Sequence, residues 1–205
     1  KYGSPQKELY GGIWTGSKWV VFGNRQLTGK NIAFSSNGID WTIRSGAPDN
    51  SWISVAYGNG LWVVISTDGY QNQVMTSPDG ITWTSQTSAA DNSWNSVTYG
   101  NGLFVAVAST GTSNHVMTSP DGITWTSRTP AQQNQWNGVT YGSNGFVAVA
   151  ANGTNRVMTS PDGINWTSRN AAAANLWRSV TYGNGLYVAV SSFGTNRIMT
   201  SPDGI

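Results

Sequence analysis

His115-Val116-Met117-Thr118-Ser119-Pro120-Asp121-Gly122-Ile123-Thr124-Trp125-Thr126-Ser127 is the stretch whose reading decides the fold. Two short β-prone segments flank a Ser-Pro-Asp-Gly turn. Pro presets φ, Gly accepts positive φ, and Asp-Gly is among the strongest short hairpin signals. The same turn begins at Ser77, Ser119, Ser160 and Ser201. Working outward, Trp52, Trp94, Trp136 and Trp177 are spaced 42, 42 and 41 residues apart, and Tyr57, Tyr99, Tyr141 and Tyr182 follow the same spacing. A divergent first copy aligns through Trp19-Val20-Val21 with Trp62-Val63-Val64, and through Ser35 to Trp41 with Ser77 to Trp83. Fixed periods of this length mark repeat architectures.

The 205 residues therefore divide into five copies, approximately 5–46, 47–88, 89–130, 131–171 and 172–205, with 1–4 joined to the last, in one domain spanning 1–205. In the third copy the pattern predicts strands over Trp94 to Tyr99, Leu103 to Ala108, His115 to Thr118 and Ile123 to Ser127. Leu103 to Ala108 is apolar on both faces, as a strand covered on both sides must be. Four antiparallel strands per copy predict an all-β, five-bladed β-propeller. A linear β-solenoid is the runner-up, but its repeats are usually shorter and its strands parallel. Joined to Ile205, Lys1-Tyr2-Gly3-Ser4 imitates Thr82-Trp83-Thr84-Ser85, so the N-terminal segment is expected to supply the last outer strand and close the ring.

The Ser-Pro-Asp-Gly-Ile-Thr-Trp turns resemble the Asp-box repeats of bacterial propellers, best known from sialidases. That pattern runs Ser-x-Asp-x-Gly-x-Thr-Trp, with one residue more between Asp and Gly. The resemblance implies that Asp79, Asp121, Asp162 and Asp203 brace turns and that Trp83, Trp125 and Trp166 pack in the core. In architecture alone, five blades resemble the tachylectin-type sugar-binding propellers.

Composition narrows the function. Only 10% of residues are charged, the net charge is +2, and no basic run exists, so no nucleic acid partner is expected. The apolar runs are too short to insert in a membrane. There is no Cys and a single His, His115, so no metal site and no cofactor is implied. Glu8 is the only Glu, and Asp68 is the only loop Asp outside the repeat pattern. Glycoside hydrolysis needs two carboxylates in different environments. No such pair stands out, and no enzyme is expected.

Chain alternation puts the Gly-Asn-Gly and Ser-Pro-Asp-Gly turns on one face and the longer loops on the other. Loops on a rigid scaffold usually carry binding groups. Two Asn positions recur on the long-loop face. Asn50, Asn92, Asn134 and Asn175 precede the strand-opening Trp52, Trp94, Trp136 and Trp177, and Asn72, Asn114, Asn155 and Asn196 precede the third strand. Gln73, His115, Arg156 and Arg197 stand beside the second set. Amides pair with adjacent hydroxyls and an indole covers the face of a sugar ring. These residues are the candidate sites for multivalent, lectin-like binding of glycans in an extracellular or cell-surface setting. The alternative function is a protein-interaction or spacer module of a larger extracellular or phage adhesin. The same Asn also suit turns and the same Trp also suit the space between blades.

Overall fold

The computed structural model describes residues 9–14, 17–23, 32–44 and 50–205. Lys1 to Ser4, the expected closing strand, lie outside the described residues. Those described form nineteen strands and no helix, arranged in five antiparallel sheets of four, four, four, four and three strands. Each sheet takes its strands in chain order, as hairpin connections dictate. In the third sheet the strands are Trp94–Gly100, Leu103–Ala108, Val116–Ser119 and Thr126–Arg128. The last begins three residues later than the sequence pattern predicts. Asp121 Oδ1 accepts the N–H groups of Ile123 and Thr124, each at 2.8 Å, which takes those amides out of the ladder.

That turn is locked by a small reciprocal network. Ser119 Oγ accepts the Gly122 N–H at 2.8 Å and donates to Asp121 Oδ1 at 2.9 Å, while the Trp125 indole N–H reaches the Gly122 carbonyl at 3.0 Å. The turn-bracing role expected of Asp79, Asp121, Asp162 and Asp203 is what the geometry shows. N–H bonds from Thr82 and Ile81 hold the Asp79 carboxyl down at a pKa of about 2.

The sheets stack face to face in chain order, and the first strands of successive sheets run beside one another. The face each sheet turns toward its successor will be called its forward face, and the opposite one its rear face. Between the second and third sheets, Ala56, Val63, Ile65 and Val74 meet Trp94, Val97, Phe104, Ala106 and Met117. Between the third and fourth, Val105, Val107 and Val116 meet Trp136, Val139, Phe146, Ala148 and Met158. A second strand with Val, Phe and Ala on both faces is thus the layer shared by two interfaces. Gly100 has a packing reason: a Cβ there would fall within the ring of Tyr141 on the next sheet. The Tyr99, Tyr141 and Tyr182 rings are half-buried, each lying on a glycine of the preceding sheet and against its own second strand, as in Tyr99 and Phe104 at 4.6 Å.

This architecture is a β-propeller in its blades, but the arc is open among the described residues. The rear face of the first sheet exposes Trp19 and Trp41, and the forward face of the fifth exposes Val190 and Ile198. The ring is not closed among the described residues, and the expected closing strand, Lys1 to Ser4, lies outside them. The fifth sheet ends at its third strand, Ile198–Ser201, with its forward side uncovered.

Candidate binding site

The residues chosen from sequence come together, but largely to hold the scaffold. Trp52, Trp94, Trp136 and Trp177 are all fully buried. The indole N–H groups of the last three donate to the carbonyls of Ala90, Gln132 and Ala173, each at 3.0 Å. A buried indole offers no face to a sugar ring, so the aromatic platform expected at these four positions is corrected to interblade core. Burial won because the strand-opening position points toward the preceding sheet.

Asn50, Asn92, Asn134 and Asn175 are buried and tie two loops of the same blade together. Their amide groups donate to the backbone carbonyls of Asn72, Asn114, Asn155 and Asn196; the Asn92 bond is 2.8 Å and the Asn134 bond 2.6 Å. The inter-blade loop and the loop after the second strand are thus joined, as expected for adjoining loops, by the groups that were to bind a ligand. Gly111 closes this contact. Its φ is +129°, and a Cβ would lie 2.7 Å from the Asn92 amide nitrogen. Asn155 donates onward to Asn170 at 3.2 Å.

In the second, third and fourth blades the residue that follows the second Asn links one blade to the next. Gln73 donates to the Asn92 carbonyl at 2.6 Å, and Arg156 to the Asn175 carbonyl at 2.8 Å. His115 has Nδ1 2.8 Å from the Asn134 carbonyl and Nε2 2.8 Å from that of Gly111. Arg197 bonds the Gly194 carbonyl of its own loop at 3.0 Å. Asp68 is engaged as well, accepting from the backbone N–H of Ser51 and from its hydroxyl at 2.6 and 2.9 Å.

The site that sequence reasoning missed lies one residue further along. In the first strand of the second to fifth sheets the register slips just after the Trp, leaving Ile53, Asn95, Asn137 and Arg178 as extra residues. Such a bulge breaks pairing and re-aims its side chain, and bulges concentrate beside functional sites. Here all four line one concavity of about 350 Å³, together with Ser54, Ser96, Gly138 and Ser179. The four bulged residues belong to four different blades and share a single funnel at the long-loop end of the first strands.

Its wall is built by contacts between blades. The Asn95 amide donates to the Trp136 carbonyl at 3.0 Å and the Asn137 amide to the Trp177 carbonyl at 2.9 Å. Ser54 and Ser96 hydroxyls accept the Val97 and Val139 N–H groups at 3.1 Å. Gly138 replaces the serine in the fourth blade because a Cβ would come within 3.0 Å of the Ser179 backbone. Among the described residues Arg178 is the one charged lining residue, positioned by a 2.9 Å bond from Nε to Ser192 Oγ. Amide oxygens, hydroxyls, a guanidinium and the apolar flank of Ile53 thus converge on one space, the composition of a site that orients a polar ligand. One signal was legible. In repeats that otherwise match closely, this position reads Ile, Asn, Asn and Arg.

No protein-family model matches the chain. No curated protein matches it. Solved structures do, at identities that speak for the fold alone. A catalytically inactive virginiamycin B lyase from Staphylococcus aureus with quinupristin is 14% identical, with a TM-score of 0.76 over 100% of this chain and 73% of that one. The nidogen/laminin complex is 15% identical, with a TM-score of 0.67 over 90% of this chain and 72% of that one. YCF48 bound to D1 peptide is 14% identical, with a TM-score of 0.59 over 89% of this chain and 62% of that one.

Proposed function

We propose that the five sheets are blades of a non-catalytic binding propeller, and that its ligand is a polypeptide segment seated in the axial funnel. The observation that carries this reading is the bulge repeated in four blades, which directs Ile53, Asn95, Asn137 and Arg178 into one shared space. A site assembled from Ile, two Asn and Arg is single and asymmetric, so it takes one ligand per chain, not one per blade. A backbone amide or carboxylate suits it: Arg178 supplies a planar cationic fork, and the Asn and Ser groups supply acceptors and donors. Two similar folds support a polypeptide by their descriptions, one bound to a peptide and one in a complex between proteins. Non-catalysis is supported by the engagement of Asp68, Asp79, Asp91, Asp121, Asp162 and Asp203 in backbone hydrogen bonds.

A glycan is the second reading, favoured by the planar amides of Asn95 and Asn137, which suit vicinal hydroxyls. Peptide and glycan arrays, followed by calorimetric titration of each hit, separate the two. A peptide hit with one site per chain, weakened at least tenfold in Arg178→Ala with an unchanged melting temperature, supports the proposal. A glycan hit with about four sites per chain, indifferent to Arg178→Ala, refutes it.

A further inference from the structure

The forward face of the fifth sheet is the same surface that the four other sheets bury. Val107 and Val116 pair across the second and third strands of the third sheet and are fully covered by the fourth. Val190 and Ile198 hold the same places in the fifth sheet, and they are 43% and 66% exposed. Across the opening, Trp19 stands where Phe104 stands in the third sheet; Phe104 is fully buried, while Trp19 is 40% exposed. Arg197 repeats the pose of Arg156. Both place Nε on the carbonyl of their own loop glycine at 3.0 to 3.1 Å. Arg156 then reaches the Asn175 carbonyl of the following blade, and Arg197 is exposed where that blade would lie.

From these three features we infer that the opening is an interblade surface that receives further blades of this same repeat, about two of them. The four internal interfaces show what covers such a face: a first strand opening with Trp and a second strand with Trp, Phe or Tyr followed by Val or Ala. The Asn carbonyl that precedes each such strand is the acceptor for the Arg197 guanidinium. The number follows from length. This chain overlays in full on 73% of the virginiamycin B lyase chain, which leaves roughly 75 residues of that chain unmatched, the length of about two repeats. The occupant is thus a polypeptide of about 80 residues carrying the Ser-Pro-Asp-Gly repeat. Its leading blade covers Val190 and Ile198, and its trailing blade covers Trp19 and Trp41.

The test appends a second copy of residues 124–205 after Ile205, in phase because Ile123 and Ile205 occupy the same place in the repeat. Hydroxyl-radical footprinting reads Ile198 and Trp41 in the parent and extended chains, with exposed Ile123 as internal standard and sedimentation to confirm monomers. The expected result is strong labelling of both residues in the parent and a several-fold loss at both in the extended chain. An Ile198→Asp change in the first copy of the extended chain should restore the labelling of Trp41. Two outcomes overturn the inference. One is weak labelling of Ile198 in the 205-residue parent, whether its own first sheet or a second copy covers it. The other is an extended chain that labels like the parent.

Discussion

Replacing Trp94 by Ala distinguishes an indole that holds two blades together from one that meets a ligand. The side chain is fully buried among Ala56, Val63, Ile65 and Val74 of the preceding blade, and its N–H donates to the Ala90 carbonyl at 3.0 Å. Truncating a buried Trp costs about 3–5 kcal/mol through lost transfer and the cavity left behind. Loss of the hydrogen bond adds about 1 kcal/mol. At roughly 2–4 °C per kcal/mol for a chain of this size, the melting temperature should fall by at least about 8 °C. Trp94→Phe keeps most of the apolar surface and loses the bond, so it should cost about 1–2 kcal/mol. Asn95→Ala, one residue along, removes interblade bonds of 3.0 Å to the Trp136 carbonyl and 3.5 Å to Asn137 Oδ1, at about 1 kcal/mol, and should act mainly on binding. Urea denaturation followed by circular dichroism measures all three. A Trp94→Ala chain within about 1 kcal/mol of the parent, with ligand binding lost, would refute the reasoning and restore the indole as a binding platform.

Acid should weaken the fold through its turns. The Asp79, Asp121, Asp162 and Asp203 carboxyls titrate below the ordinary 3.8, chiefly because backbone N–H groups bond the charged form, overcoming desolvation at Asp162. A depressed native pKa stabilises fully above the unfolded value and is lost as pH falls through the native one. Melting temperature should therefore hold above about pH 4 and drop toward pH 2, less steeply in Asp79→Asn; identical profiles for the two chains would defeat the assignment. Gly100→Ala drives a Cβ into the Tyr141 ring and should cost about 1–3 kcal/mol as overpacking. Gly102→Ala, at φ +74° with open space around it, should cost only about 1 kcal/mol of backbone strain. Equal losses on thermal denaturation would show that interblade crowding is not what Gly100 relieves.

The repeat carries most of the fold in plain view. Val116-Met117-Thr118-Ser119-Pro120-Asp121-Gly122 specifies a strand and a turn by local chemistry alone, and Leu103–Ala108 announces a strand covered on both faces. Those elements form as read because their hydrogen bonds and turns close within a few residues. Asn92 and Trp94 also stood out, yet recurrence by itself does not separate a residue that every blade needs for packing from one that every blade offers to a ligand. Only the folded arrangement decides that, with stacking placing Trp94 against Val63 and Ile65 and the two loops of one blade giving the Asn92 amide to the Asn114 carbonyl.

What the sequence by itself determined is the blade: its strands, its Asp-braced turn and its order in the chain, all set by contacts between residues close in sequence. What only the tertiary structure decided is how the blades meet. The one-residue slip after each Trp turns Ile53, Asn95, Asn137 and Arg178 toward a shared axis. The curvature leaves Val190 and Ile198 uncovered where Val107 and Val116 are sealed. Both depend on the angle between sheets some forty residues apart in the chain. That angle is fixed by the summed packing of whole faces, which no local pattern encodes.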